Sequence, residues 1–170
     1  MSRFTDVLIV SPYPDGKTWY LRSEFGFDRG KEGSGDTIIV PIGFSTDFAS
    51  IPRLFWTILP QWGNYGNAAV IHDYLYYEQN LPRKTADEVL LEGMIVLNVV
   101  PWQRFVIYHA VRWFGFLAWY ENRKKKEAGF LKIAAAPPKR SVDMPTHWRV
   151  GARKWMAIMV RKSPKREDRR

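Results

Sequence analysis

Prolines at positions 82 and 101 divide the most regular stretch of this chain, and that division limits what it can fold into. A proline removes a backbone donor and biases the residue before it away from helical geometry. Helical patterning that begins at Asn67, a suitable N-cap, therefore runs through Tyr77 and breaks at Leu81-Pro82-Arg83. A second helix is expected from Thr85, with Glu88 three residues on completing a capping box, to about Val99, where Pro101 ends it. A third spans about Trp102 to Arg123. The spacing also predicts a short helix from Arg53 to Leu59, opened by Pro52 and stopped by Pro60.

The part before these helices reads as strands. Val7 to Val10, Thr18 to Arg22 and Thr37 to Pro41 are short β-branched or aromatic runs separated by turn chemistry. Asp15-Gly16 between the first two is a hairpin signal. The expected fold class is α+β: a small antiparallel β-meander, then about three helices, then a basic C-terminal extension. The expected domains are a globular α+β domain over residues 1–123 and a basic, aromatic-containing extension over residues 124–170.

Charge supports that division. Residues 1–120 hold 10 Lys+Arg against 12 Asp+Glu, whereas residues 121–170 hold 16 against 5, so the net +9 belongs to the tail. Interleaved Trp148, Arg149, Arg153, Lys154 and Trp155 suit an acidic protein surface, nucleic acid or an anionic membrane face, through residues 139–170. With no helix-turn-helix or other reader in the body, sequence-specific DNA binding is not expected. The absence of cysteine excludes disulfides, thiolate metal sites and a cysteine nucleophile, and fits a reducing compartment. Asp6 and the lack of a long apolar run argue against an N-terminal signal peptide. The apolar runs 89–100 and 105–120 are too short and too interrupted for a spanning helix.

The chemistry concentrates between Gly43 and Asp87. A histidine followed by an aspartate within an apolar helix costs free energy to bury without partners. His72 shares a helical face with Ala68, Ala69 and Tyr76, while Asp73 points about 100° away. Asp87, near the start of the next helix, is placed to meet a ring nitrogen of His72 if the two helices pack antiparallel. A carboxylate there fixes the imidazole tautomer and raises its basicity. Ser45-Thr46-Asp47 reads either as a turn or as part of the same site, and Arg53 as an anion binder or carboxylate cap. His109 and Arg112, three apart, are placed to face a carboxylate. Trp102, Trp113, Trp119 and the phenylalanines of the third helix read as core or as an assembly interface.

Two resemblances follow from these residues. His-Asp-x-x-Tyr at 72–76, with Ala69 before it and Asp87 in the next helix, resembles the active-site helix pair of the secretory phospholipase family. It is closer still to the cysteine-free form carried in parvovirus capsid proteins. The resemblance implies His72 as the base that activates water, Asp73 as a calcium ligand, Asp87 as the orienting carboxylate and Tyr76 as a supporting hydrogen bonder. In that family a glycine-rich loop upstream supplies calcium with carbonyl oxygens. Gly63 to Asn67 lies too close to His72 for this, which leaves Gly43 to Asp47, with Asp47 as a second carboxylate ligand.

The second resemblance covers more of the chain. Gly43-Phe-Ser-Thr-Asp-Phe-Ala-Ser-Ile-Pro-Arg53 and Ala68-Ala-Val-Ile-His-Asp-Tyr-Leu-Tyr76, followed by Ala86-Asp87 and Ala110-Val111-Arg112, resemble an uncharacterised family found in tailed phages and prophages. It implies a virion-associated structural or assembly protein of the tail or head–tail region, assembled in the bacterial host cytoplasm with other virion proteins as partners. The alternative is a metal-dependent, phospholipase-like ester hydrolase acting in host penetration or lysis, with calcium as its cofactor.

Overall fold

The computed structural model describes residues 1–13, 15, 17–48 and 64–133. All of them lie in one compact unit, Met1–Pro137. The expected helix from Arg53 to Leu59 and the extension beyond residue 133 fall outside the described residues.

The fold is α+β, as expected, and the described residues form six strands in two small antiparallel sheets followed by three helices. One sheet has the order β1-β4-β5, from β1 (Arg3–Phe4), β4 (Phe25–Asp28) and β5 (Thr37–Val40). The other has the order β2-β3-β6, from β2 (Val10–Pro12), β3 (Trp19–Leu21) and β6 (Ser45–Thr46). The simple meander is thus replaced by an interleaved pair of sheets. The expected hairpin forms between β2 and β3: Val10 pairs with Leu21 and Pro12 with Trp19. Asp15 holds it by accepting the Lys17 and Thr18 backbone N–H groups at 2.9 and 2.8 Å.

β5 shows the alternation expected of a half-buried strand, with Ile38 and Val40 inward. β4 is buried on both faces, and Phe25 and Phe27 pack with Phe4 into the core beside Leu21, Phe44 and Ile71.

α1 (Gly66–Glu78) is buried nearly all round, including Ala68 to Asp73 and Leu75 to Tyr77, as befits a central helix. It begins one residue before the expected Asn67 cap and ends at Gln79, whose left-handed φ of 58° is held by its N–H to Leu75 O. α2 (Arg83–Val96) begins earlier than expected, directly after Pro82, so the Thr85–Glu88 capping box does not form and Thr85 sits inside the first turns. The extended geometry of Pro82, φ −58° and ψ 143°, sets that start instead. α3 (Pro101–Glu127) takes Pro101 as its first residue, where the missing N–H costs nothing. Past α3 the chain returns to the body, where Ser45 N–H donates to Lys132 O at 2.7 Å and Phe44 bridges Ile133.

α1 and α2 run antiparallel, since Ala68 meets Gly93 while His72 meets Asp87. A Cβ on Gly93 would lie 2.9 Å from Ala68 Cβ, so this close packing depends on glycine. That approach brings the polar groups of the two helices within bonding distance.

Candidate functional site

His72, Tyr76 and Asp87 come together. His72 Nε2 lies 3.0 Å from Asp87 Oδ1, and Tyr76 Oη donates to the same oxygen at 2.6 Å. The (i, i+4) spacing puts imidazole and phenol on one face of α1, with ring centroids 4.1 Å apart. Two further donors approach the other carboxylate oxygen. Arg112 Nη1 on α3 donates to Oδ2 at 2.7 Å, and Arg83 Nη1, one turn before Asp87 on α2, donates at 3.3 Å. Arg83 also donates to the carbonyls of Val111 and Arg112, at 3.2 Å each. One fully buried carboxylate therefore ties three helices together.

Burial alone would push the Asp87 carboxyl up. The hydrogen bonds from His72 and Tyr76, the His72 ring and Arg112 together hold it below the usual carboxylate range. Tyr76 is pushed the other way, by burial and then by the carboxylate it bonds, so it stays a donor. An ionised Asp87 accepts from Nε2–H, which selects the Nε2–H tautomer of the imidazole, assigned from the hydrogen-bond network. That leaves Nδ1 as the lone-pair nitrogen, and it is buried with no hydrogen-bond partner among the described residues.

Asp73 and Asp47 belong to an adjoining group. Thr46 Oγ1 donates to Asp73 Oδ2 at 2.5 Å and accepts the Phe48 N–H at 3.1 Å. Phe48 has φ 52°, a left-handed geometry uncommon for a bulky residue and costing about 1–3 kcal/mol. This turn leaves Asp47 exposed at the mouth of a cleft of about 210 Å³. Asp47, Asp73, Tyr76, Glu121, Lys125 and Lys132 line it. His72 is not on its wall: the imidazole is 1% exposed and lies behind the Tyr76 ring. The four residues expected to converge thus form two groups on different sides of α1, bridged by the Tyr76 side chain.

These residues do not fit a calcium ion. Calcium takes ~6–8 oxygens, and among the described residues no three His, Asp or Glu side chains gather. Lys132 also faces the same cleft as Asp47 and Asp73 and already supplies Asp73 with positive charge.

Asp73 is pushed up to about 6, first by burial and then by Asp47 nearby, against Lys132, Thr46 and His72. Its folded value exceeds the unfolded one, so the folded state holds the proton more tightly. The associated stability is full below pH 3.8 and is lost as pH rises to about 6. The buried charge then costs on the order of 3 kcal/mol at neutral pH. Asp73→Asn, which keeps an acceptor for Thr46, should be at least as stable as wild type at pH 7.5. It should lose its advantage near pH 4, as denaturant melts at the two pH values will read.

Arg83 and Lys132 are site residues that the sequence does not assign, whereas Thr46 falls in the Ser45-Thr46-Asp47 segment that reads as a turn or as part of the site. Arg83 carries a signal, its four-residue spacing before Asp87. Lys132 lies too far from its partners in the chain to carry one. Trp119 packs against the core, with its ring centroid 5.1 Å from that of Tyr76, whereas Trp102 and Trp113 are exposed.

The fold and this network define a small α+β domain built around a buried His–Asp–Tyr–Arg hub. The chain belongs to the family described as "Protein of unknown function (DUF1353)", whose model matches residues 19–111. It is similar to "Uncharacterized protein y4jT" of Sinorhizobium fredii (strain NBRC 101917 / NGR234), 35% identical over 97 residues. Those residues are 56% of this chain but 28% of that protein, so the chain spans less than a third of the relative's length. No solved structure matches.

Proposed function

We propose that this domain is an ester hydrolase of phage or prophage origin in which His72 is the general base, Asp87 its orienting carboxylate and Tyr76 a positioning hydrogen bonder. The observation that carries the reading is the asymmetry of the His72 ring. Nε2 is anchored to a carboxylate, while Nδ1 has no partner among the described residues. A buried polar atom left unpaired costs about 1–3 kcal/mol, and a lone pair kept basic and oriented is what proton abstraction from water needs. In the reaction, water loses a proton to Nδ1 as its oxygen bonds the ester carbonyl carbon. The carbon–alkoxide bond then breaks, and the imidazolium returns the proton to the leaving alcohol. Lys125 and Lys132 are the cleft cations available to the developing oxyanion. Because His72 is covered, turnover requires a transient opening that bares Nδ1. No step is routed through a metal, so activity should survive a chelator.

The phage origin rests on the resemblance of the 43–53 and 68–76 segments. It carries a second reading, a virion structural protein of the tail or head–tail region in which the hub only pins the helices. The 1% exposure of His72 favours this second reading.

His72→Gln separates the two. Its amide nitrogen occupies the position of Nε2 and keeps the donor to Asp87, but the base nitrogen is gone. Hydrolysis of short-chain and phospholipid esters should fall ~100-fold or more, on the scale of general-base catalysis, with the thermal melt retained. Wild-type activity equal to that of the variant, or none at all with or without added calcium, would overturn the hydrolase reading. The structural one predicts instead that both proteins are recovered in virions.

A further inference from the structure

α3 buries only a narrow side, formed by Ile107, Ala110, Val111 and Gly115. At about 3.6 residues per turn, Trp102, Phe105, Trp113, Phe116 and Tyr120 fall in one strip on the opposite side. Each of these rings is more than half exposed, Trp113 reaching 67%. His109 sits within the strip between Phe105 and Trp113, with ring centroids 4.3 and 5.5 Å from theirs. No Lys, Arg, Asp or Glu interrupts this face from Trp102 to Tyr120, a length of about 27 Å. At ~150–250 Å² per ring, five half-exposed rings leave on the order of 500 Å² of apolar surface in contact with water, which single exposed residues do not explain.

The geometry points to a docking face for an anionic lipid surface, on which α3 lies in the membrane plane. Charge selects this occupant. The strip runs into the basic turn Arg123-Lys124-Lys125-Lys126, of which Lys124 continues the line of rings, its Nζ 4.6 Å from the Tyr120 ring centroid, while Lys125 lines the cleft and Lys126 pairs with Glu78 at 3.1 Å. Residues 121–133 hold five Lys+Arg against two Glu, and Phe130 and Leu131 follow the lysines with both side chains exposed. Aromatic rings suit the headgroup–acyl boundary, while lysines on flexible stems reach phosphates, each contributing about 1 kcal/mol near an anionic leaflet. Among the described residues no helix is long and apolar enough to cross a membrane, so α3 rests on the surface.

A second copy fits less well. An antiparallel α3 pair centred on the strip would carry the lysine cluster past the start of the partner helix at Pro101, and residues 101–120 hold no carboxylate to meet it. Lipid docking stands independently of the ester-hydrolase reading and has its own readout.

The test uses the full chain with vesicles of phosphatidylcholine alone and of phosphatidylcholine with phosphatidylglycerol, followed by co-sedimentation and tryptophan emission. Binding to the anionic vesicles should exceed that to the neutral ones at least about tenfold. The double variant Phe105→Glu/Trp113→Glu should weaken it at least about tenfold while its melt is unchanged, both positions being exposed. Three outcomes overturn the inference. One is the absence of vesicle binding, and another is binding that the double variant retains in full. The third is a wild-type dimer that the double variant breaks, without lipid affinity, which would make a second copy the occupant.

Discussion

Asp87→Ala should cost the domain about 3–5 kcal/mol of unfolding free energy, the usual range for removing one partner of a buried ionic group. The carboxylate it removes accepts from His72, Tyr76, Arg83 and Arg112 at a position with no solvent exposure. Truncation leaves two guanidinium groups, a phenol and an imidazole around a void. Arg83 and Arg112 keep about a quarter of their side-chain surface in water, so hydration recovers part of the loss and sets the lower end of the range. Asp87→Asn keeps the volume and one acceptor oxygen, and should cost about 2 kcal/mol.

The folded carboxyl is held below its ordinary value, so its contribution is present above the unfolded value of 3.8 and is lost as pH falls through the folded one. Wild type and Asp87→Ala should therefore converge in stability as the solution is acidified. Denaturant melts at pH 7 and at two acidic values check both statements. A cost below about 1 kcal/mol at pH 7 would mean that the hub does not hold the helices together.

The hub was legible because its grammar is local. Proline at 82 forces a reversal, an antiparallel return carries the chain from His72 to Asp87, and Tyr76 follows His72 by one turn. Arg112 has the spacing from His109 to face a carboxylate, though which one depends on how α3 crosses the pair. Arg83 reads in sequence only as part of a helix break, because a residue beside proline looks like punctuation before it looks like a ligand. Asp73 falls by spacing on its own face of α1, but its bond to Thr46 spans 27 positions and two element types.

The sheets were less legible for a different reason. β1 and β6 are two residues long, too short for any alternation to register, and β4 is interrupted by Gly26. They form because neighbouring strands and the helices beneath complete them, a tertiary effect on weak local preference. The aromatic strip of α3 shows a related limit. Its period fixes which residues share a face, but periodicity is blind to what covers that face. Core and interface therefore looked alike until Trp113 proved exposed and Trp119 packed.

Gly115→Ala is the sharpest test of how the hub is assembled. A Cβ at 115 would clash with Tyr76 Oη and lie 3.3 Å from its ring carbon Cζ and 3.5 Å from Arg83 Nη1. The phenol is held from the far side by Asp87, so it cannot retreat without giving up that bond. Overpacking of this kind costs about 1–3 kcal/mol and a lost buried hydrogen bond about 1 more. Alanine recovers at most about 1 kcal/mol through its helix propensity over glycine. The net expectation is a loss of roughly 2–3 kcal/mol from a change that would stabilise most exposed helices. Tyr76→Phe alone should cost about 1–2 kcal/mol, by leaving Asp87 one donor short. In the double variant the atom that clashes is gone, so Gly115→Ala should do much less harm in the Tyr76→Phe background than in wild type. A melt series over the four proteins measures this. Simple additivity would show that Gly115 acts through α3 packing in general. Rescue would show that its missing side chain is the space in which the Tyr76 hydroxyl reaches Asp87.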